Sequence, residues 1–390
     1  MSNILKLYKI RGCKMKKFIC YFSIFSILII SCQTKQQIQI SEVSLKEVYK
    51  NVFMIGTALN FNQIADKDSK SMALVQRHFN TITAENILKW GIVHPEEDLY
   101  NFEQADAFVS LGEQNKMFII GHTLVWHHQT PSWVFKDKNG QAVDRETLLQ
   151  RMKEHIFTVV GRYKGKINGW DVVNEAIDEQ GDYRKTRWFE TIGVEYIEKA
   201  FQWAHEADPD AELYYNDYNM WYKGKREAVV KLVYYLQSKD IPIHGIGLQG
   251  HWGLDYPPLN ELEESIKAYA ETGVKVMITE LEINVLPFPS TDAGADITQN
   301  YELNKKLNPY EDGLPDSMQV VLSKRYRDLF ILLIKYKDKI SRITFWGVHD
   351  GVSWTNNWPV RGRTNYPLLF DRNYQPKPAF NEIIKLVKGK

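Results

Sequence analysis

Eight short apolar runs, each followed by a longer stretch with helical periodicity, restrict the fold of this chain more than any other feature. The runs are rich in β-branched residues, whereas stretches such as 145–163, 194–207 and 225–239 repeat apolar residues at helical spacing. Strands that alternate with helices favour a parallel sheet with crossover helices. Eight such units predict an α/β fold, a single (β/α)8 TIM barrel with its active site at the C-terminal ends of the strands. The predicted strands are 53–59, 81–86, 117–126, 169–175, 212–219, 245–251, 276–283 and 343–348, and the further predicted helices are 261–272, 319–336 and 379–387.

An open, doubly wound sheet is the alternative fold for such alternation. It would be expected to carry a glycine-rich, phosphate-binding turn after its first strand. The first predicted strand contains Ile55-Gly56-Thr57-Ala58, which is not such a turn. The barrel is therefore favoured over the open sheet.

Nearly every predicted strand ends in polar or aromatic residues. In a barrel these ends converge on one face, which is where the active sites of TIM barrels lie. Packing alone is a poor explanation, because buried polar groups cost free energy unless they are partnered. The residues at these ends are Glu85, Asn86, His122, Trp126, Asn174, Glu175, Asn216, Asn219, Gln249, His251, Glu280 and Trp346.

Two of these residues form a pair of carboxylates, Glu175 at the end of the fourth predicted strand and Glu280 at the end of the seventh. Glycoside hydrolysis needs two carboxylates that face each other: one protonates the departing oxygen, and the other attacks the anomeric carbon or activates water. The acid must stay protonated near neutral pH, and a nearby second carboxylate helps because two close negative charges repel. Taken singly, either glutamate could equally be a salt-bridge partner.

Charge and aromatic content fit a neutral sugar polymer as the ligand. The chain has 49 basic and 48 acidic residues, so no net field attracts nucleic acid, and we expect no nucleic-acid partner. Aromatic residues make up 13% of the chain, with 11 Trp. Core packing explains many of them, but Trp and Tyr beside polar side chains also form platforms for sugar rings. No cofactor fingerprint, metal motif or second domain is recognised, and we expect a monomer without cofactor or metal.

The N-terminus has the layout of a secretory signal. Basic residues precede an apolar run at 18–30, which is shorter than the roughly 20 residues of a membrane-spanning helix. The run ends in Ile29-Ile30-Ser31-Cys32, which resembles a bacterial lipobox with Cys32 as the lipidated residue. A plain signal peptide, or an N-terminal anchor with a chance cysteine, is the alternative.

These features predict three segments. Residues 1–31 would be an extension and signal peptide, with Met15 as the true start, 32–40 the lipidated cysteine and a tether, and 41–390 the catalytic barrel. We expect an exported lipoprotein, held on the outer membrane by its lipid and facing the periplasm or the cell surface. The three cysteines lie at or before position 32, so no disulfide remains and the core alone must stabilise the mature chain.

Eight long segments of the chain carry recognisable motifs: FNTITAENILKW (79–90), GHTLVWHHQTPSW (121–133), WDVVNEAI (170–177), YYNDYN (214–219), GIGLQGHW (245–252), VMITELEI (276–283), FWGVHDGVSW (345–354) and PLLFDRNYQPKPAF (367–380). With them the chain resembles glycoside hydrolase family 10, the retaining endo-β-1,4-xylanases, over about residues 45–388. The resemblance implies hydrolysis of internal β-1,4 linkages of xylan and xylooligosaccharides, with retention through a covalent glycosyl-enzyme intermediate.

The resemblance also implies roles for individual residues. Glu175 would be the general acid/base and Glu280 the nucleophile, which His251 would keep ionised and oriented. Asn174 would bind the sugar 2-hydroxyl in the −1 subsite. The further substrate-binding and supporting residues implied are Gln249, with His122, Trp126 and Gln129 at the −1 and −2 subsites, Glu85, Asn86 and Lys89 at the −2 subsite, Trp346 and Trp354 above the −1 subsite, and Tyr218 on the aglycone side.

The preference for xylose over glucose has a steric interpretation. Xylose lacks the C6 hydroxymethyl group, so a crowded wall of Lys89, Trp126 and Trp346 near C5 would accept xylose and exclude glucose. Core packing is the alternative reading for Trp346. Related pockets still show some activity on aryl cellobiosides.

Two departures from the family pattern leave questions open. The usual Asp two residues after the nucleophile is Glu282, which makes the partner of His251 uncertain. The stretch 286–316 is long and rich in Pro, Asn, Asp and Gly, and it is either a loop that shapes the aglycone subsites or a plain insertion.

Two other functions compete with a xylanase. One is a cellulase or mixed-linkage glucanase on a related barrel. The other is a non-catalytic, glycan-binding surface lipoprotein, although the intact Glu175, Glu280 and Asn174 argue against lost chemistry.

Overall fold

The computed structural model describes residues 43–289 and 295–388, and its strands close into a parallel barrel with helices between them. The barrel strands are neighbours in chain order, and pairing of the sixth with the next barrel strand completes the circle. This confirms the predicted (β/α)8 fold. The strands are β1 (Met54–Leu59), β2 (Thr81–Ala84), β3 (Phe118–Val125), β4 (Gly169–Asn174), β5 (Glu212–Asp217), β6 (Gly245–Leu248), β7 (His251–Gly253), β8 (Lys275–Asn284) and β9 (Ile340–Phe345).

All these strands except β7 belong to the barrel, and helices connect them on the outside. The longer connecting helices each bury an apolar face, as the helical periodicity predicted. The helices are α1 (Leu45–Tyr49), α2 (Phe61–Ile64), α3 (Ser69–His78), α4 (Trp90–Val93), α5 (Glu103–Gln114), α6 (Arg145–Arg162), α7 (Arg187–Ile192), α8 (Glu195–Ala207), α9 (Lys223–Ser238), α10 (Leu259–Glu271), α11 (Asp316–Lys335) and α12 (Pro378–Lys388).

The sixth predicted strand divides into two in the structure. β6 ends at Leu248, and β7 begins at His251 and pairs with the end of β8 at Glu282. Gly250 between them has a φ of 87°, a conformation that side-chain-bearing residues rarely adopt. This turn brings His251 beside the carboxyl end of β8.

The eighth barrel strand begins and ends three residues earlier in the sequence than predicted. β9 runs from Ile340 to Phe345 and includes Arg342, which is 1% exposed. The Arg342 guanidinium lies 5.2 Å from the centre of the Tyr214 ring, so a cation–π contact offsets part of its burial. A charged residue inside the barrel interrupts the apolar run, which is why the sequence pattern placed the strand too late.

Large side chains fill the barrel interior. Ile120 of β3, Tyr214 of β5 and Met277 of β8 pack together although they come from three separate strands. Each is at most 1% exposed. This packed layer makes the barrel solid below its mouth, so chemistry is confined to the loops and strand ends above it.

The N-terminal predictions fall outside the described residues. The signal sequence, the Met15 start, the lipobox with Cys32 and the tether all precede residue 43. Within the described ranges, none of the helices has the length and apolar character needed to cross a membrane.

Candidate active site

A cleft of about 390 Å³ opens at the carboxyl ends of the barrel strands. The structure brings together in it every residue that was predicted for the site except Tyr218. Two further residues, Ala295 and Ile297, lie in the same wall and were not predicted. The lining residues are Glu85, Asn86, Lys89, His122, Trp126, Gln129, Asn174, Glu175, Gln249, His251, Glu280, Ala295, Ile297, Trp346 and Trp354.

Glu175 directly follows β4 and is fixed at both carboxylate oxygens. Its φ of 60° lies in the left-handed region, a strained conformation for a glutamate. The Glu175 amide donates to the Asn216 carbonyl at 2.9 Å, which holds this turn against β5. The Trp126 indole donates to Oε2 at 2.7 Å, and the Gln249 amide donates to Oε1 at 2.9 Å.

The surroundings of Glu175 suit a proton donor. Burial raises its pKa to about 7, and the charge of Asp217 adds to the increase. The hydrogen bonds from Gln249 and Trp126 act in the opposite direction. The sequence predicted that the second catalytic carboxylate would raise this pKa; Glu280 does so, but burial is the larger cause.

Glu280 in β8 lies in the same cleft under opposite conditions. The Asn216 side chain donates to its Oε1 at 2.8 Å, and His251 Nε2 lies 3.0 Å from its Oε2. Burial alone would raise the pKa of Glu280, but the hydrogen bond and charge of His251, the charge of His122 and the Asn216 amide together hold that pKa below its usual value. Glu280 is therefore ionised at pH values at which Glu175 is still largely protonated.

Glu282 takes the position where the family usually has Asp, and it does contact the histidine. His251 Nδ1 lies 2.8 Å from Glu282 Oε1, so the imidazole is held between two carboxylates, Glu280 and Glu282. Although burial opposes its positive charge, these two partners raise the pKa of His251 to about 9. The Trp354 indole donates to the same Oε1 at 2.5 Å, so Glu282 also positions an aromatic wall of the cleft.

Asn216 links the two glutamates and was not assigned to the site from the sequence. Its side-chain amide donates to Glu280 Oε1 and, at 2.9 Å, to Asn174 Oδ1. Gln249 donates to the same Asn174 oxygen at 3.2 Å and also to Glu175. Asn216 stands in the predicted polar end of β5, but its contacts lie 42 and 64 residues away along the chain, which no local pattern reveals.

A glycine on β6 leaves the space that Asn216 occupies. A Cβ added at Gly247 would lie 2.4 Å from Asn216 Oδ1 and 2.8 Å from a methyl carbon of Thr279. We expect Gly247→Ala to displace the Asn216 amide and to lower the kcat of this site by roughly 10- to 100-fold, since a shift of about 1 Å costs this much in a preorganised site. Gly161→Ala in α6 is the matched control, because a Cβ there meets nothing within 4 Å. Equal kcat values for the two variants would show that the Asn216 position is unimportant.

Residues 44–386 match the sequence model described as glycosyl hydrolase family 10. The chain belongs to glycosyl hydrolase family 10. An endo-1,4-beta-xylanase A of Xylanibacter ruminicola is 51% identical over 346 residues, which cover 89% of this chain and 94% of that protein. The family resemblance of the sequence motifs is thereby confirmed.

Solved structures agree with this family membership. A GH10 endoxylanase retrieved from a sugarcane soil metagenome is 44% identical, with a TM-score of 0.86 over 88% of this chain and 100% of that chain. A mutant enzyme in complex with xylotriose is 36% identical, with a TM-score of 0.78 over 88% of this chain and 99% of that chain. The barrel fold is thus that of family 10 enzymes.

One end of this family 10 cleft is polar and contains a lysine. Lys89 donates to Asn86 Oδ1 at 3.0 Å, and its ammonium lies 4.8 Å from the Trp126 ring. Burial lowers the pKa of Lys89, while the charges of Glu280 and Glu85 act to raise it. The lysine is held among carboxylates and an aromatic face, where its N–H groups can reach sugar hydroxyls.

Two tryptophans and a histidine form another part of the cleft lining. Trp346 packs edge-on against His122, with ring centres 5.4 Å apart, and Trp354 stacks on Trp358 at 4.3 Å. His122 Nδ1 is 2.9 Å from a carboxylate oxygen of Asp171, which fixes the orientation of its ring. Trp346 is 7% exposed, so it serves both as packing and as a cleft wall.

Tyr218 is the one predicted substrate residue that does not line the cleft. It is 5% exposed, and its ring lies 4.3 Å from the Lys225 ammonium and 5.4 Å from the Arg184 guanidinium carbon. The Tyr218 ring therefore packs against these two cations and is not part of the cleft lining. A contact between Tyr218 and substrate remains a prediction.

The loop after β8 contributes to the site. Ala295 and Ile297 line the cleft, and the Trp358 indole donates to the Asp296 carbonyl at 3.1 Å. Residues 290–294 lie outside the described part of the chain. Of the two interpretations of the stretch 286–316, these contacts favour a loop on the substrate side.

Proposed function

We propose that this chain is an endo-1,4-β-xylanase that hydrolyses internal linkages of xylan with retention of configuration. One observation carries the proposal: two buried carboxylates share a cleft, and their surroundings raise the pKa of one and lower that of the other. Separation of the two pKa values is how glycosidases divide the acid and nucleophile roles. The family 10 relatives named as endo-xylanases supply the substrate class.

In the first step, the Glu280 carboxylate attacks the anomeric carbon and the Glu175 proton passes to the departing glycosidic oxygen. The bond to that oxygen breaks as the bond to Glu280 forms, which leaves a glycosyl-enzyme and an ionised Glu175. In the second step, Glu175 removes a proton from water, which displaces Glu280 and restores both starting states. Asn174 would bind the sugar 2-hydroxyl, and His251 would stabilise Glu280 as it leaves.

The same walls account for xylose as the preferred sugar. Lys89 and Trp126 contact each other, and Trp346 lines the same cleft. These bulky side chains would leave little room for the C6 hydroxymethyl group that distinguishes glucose from xylose. The discrimination is steric, so it would be partial, as expected for a pocket that rejects a substituent by size.

Product analysis tests this function. Incubation with linear xylan and with carboxymethyl cellulose should release reducing sugar mainly from xylan, and proton NMR of the first products should show the β-anomer. Predominant cellulose hydrolysis would replace the proposal with a glucanase, and an α-anomer formed first would mean inversion. Binding of xylooligosaccharides without any hydrolysis would point to a glycan-binding protein.

The pH profile of xylan hydrolysis should be bell-shaped. Activity needs ionised Glu280 and protonated Glu175, so kcat/KM should fall at acid pH as Glu280 gains a proton and fall again above about pH 7 as Glu175 loses one. In Glu175→Ala, assayed on an aryl xylobioside with an acidic leaving group, the fall near pH 7 should vanish. If it persists in that variant, the group that titrates is not Glu175.

We further propose that the protein is exported and anchored by lipid at Cys32, and that it acts as a monomer. The basic start, the short apolar run and the Ile29-Ile30-Ser31-Cys32 sequence support export and lipidation. Cells expressing the chain should yield an acylated protein that partitions into detergent, and Cys32→Ala should yield an unacylated, water-soluble one. Unchanged partitioning of Cys32→Ala would favour the plain signal or the uncleaved anchor.

A further inference from the structure

His127 and His128 follow Trp126 in the loop after β3, and neither has a part in the chemistry above. Their ring centres are only 4.0 Å apart, although consecutive side chains in an extended chain point to opposite sides. Both are partly buried, and the residues on either side of them, Trp126 and Gln129, line the cleft. One nitrogen of each ring and one carboxylate oxygen of Glu175 all lie within 4.8 Å of one another.

Two imidazoles and one carboxylate are the donor set that holds zinc in several hydrolases. Bonds of about 2.0–2.1 Å to a tetrahedral ion require donor atoms about 3.4 Å apart, so donor atoms that now lie up to 4.8 Å apart would have to approach by up to about 1.4 Å. Glu175 can supply an oxygen: Oε2 accepts one hydrogen bond, from Trp126, and a carboxylate oxygen has two lone pairs. The donors therefore lie near the spacing of a metal site.

The charges around the trio select the kind of cation. Arg184 and Lys225 act on His127, and Arg184 and Lys89 act on His128, whereas Asp296 is the negative charge that acts on His128. Repulsion by these cations disfavours Ca²⁺ and Mg²⁺, which bind oxygen ligands by charge. Zn²⁺ and Cu²⁺ gain enough from nitrogen coordination to bind against such repulsion.

We propose that a transition-metal cation of the zinc class binds His127, His128 and Glu175 and reversibly stops turnover. The inhibition, though not the binding, rests on the proposed role of Glu175. A metal on its carboxylate occupies the oxygen that must carry the proton, so Glu175 can serve neither as acid nor as base. The site is made by the fold, since the sequence alone offers only two adjacent histidines.

Binding is tested on the full chain with Zn²⁺ in a calorimeter and with Cu²⁺ by electron paramagnetic resonance. We expect one ion per chain at this site, nitrogen hyperfine structure from two imidazoles, and at least ~10-fold weaker binding in His128→Asn, the scale of loss for altered metal shells. His205→Asn in α8 is the matched control and should bind as the wild type does. The N-terminal cysteines remain in all three proteins, so the difference isolates His128. Equal affinities of wild type and His128→Asn would overturn the site.

Kinetics separate this proposal from the proposed function. Zn²⁺ should inhibit xylan hydrolysis by the wild type, and His128→Asn, active without metal, should need at least ~10-fold more Zn²⁺. With an aryl xylobioside whose leaving group is strongly acidic, Zn²⁺ should spare the first burst of phenolate and slow the steady state. If the chain hydrolyses xylan but Zn²⁺ neither binds nor inhibits it, the metal proposal is wrong and the proposed function stands. Two-nitrogen Cu²⁺ binding by a chain that does not hydrolyse xylan would support the site and overturn the proposed function.

Discussion

Glu280→Ala should lose hydrolysis of xylan and of every aryl xylobioside alike, by about 10⁵-fold or more, the scale of loss when a nucleophile is removed. No substrate can bypass the step, because the covalent bond to carbon forms at Glu280 whatever the leaving group. The measurement is kcat/KM for xylan and for a series of aryl xylobiosides with leaving groups of increasing acidity. A loss that shrinks steeply as the leaving group becomes more acidic would indicate an acid, not a nucleophile.

Added azide provides the control for folding of this variant. A small anion can enter the space left by the carboxylate and attack the anomeric carbon of an activated β-xylobioside directly. A single displacement inverts the configuration, so the product should be the α-glycosyl azide. Formation of that product shows that the cleft of the variant still binds and positions the sugar. A β-azide from Glu280→Ala would contradict the assignment.

Glu175→Ala should lose the most activity on substrates whose leaving group needs a proton to depart. On xylan, whose leaving group is a sugar hydroxyl, kcat/KM should fall by roughly 10²- to 10⁴-fold, the usual contribution of general acid catalysis. On a dinitrophenyl xylobioside the formation of the glycosyl-enzyme should be nearly as fast as in the wild type, because the phenolate leaves without a proton. The second step then lacks its base, so a burst should be followed by a slow steady state.

Azide distinguishes this variant from the first. In Glu175→Ala the glycosyl-enzyme on Glu280 still forms, and azide, which needs no base, should accelerate its breakdown. Two displacements retain configuration, so the product should be the β-glycosyl azide. Equal losses on xylan and on the dinitrophenyl substrate, with no burst, would show that Glu175 is not the acid/base.

Most of the fold and nearly all of the cleft were predictable because both depend on short-range patterns. Strand and helix periods differ, and residues at strand ends such as Glu175 and Glu280 stand in recognisable motifs. The boundaries failed where a polar residue was buried inside the barrel, as at Arg342, or where a turn split a run, as at Gly250.

The residues that were missed act through partners distant in sequence. Asn216 joins Asn174 and Glu280 only when β4, β5 and β8 lie together in the barrel. Ile297 reaches the cleft from a loop with no periodic pattern. The cause of the raised pKa of Glu175 also needed the fold, since burial depends on everything that surrounds the side chain.

A 2-deoxy-2-fluoro-xylobioside with an activated leaving group tests the opposite roles of the two carboxylates most directly. The fluorine slows the second step, so the sugar should remain bound to the enzyme, and mass spectrometry of peptides from the inactivated wild type should find it on Glu280. An adduct on Glu175 or Glu282, or inactivation without any adduct, would contradict the account.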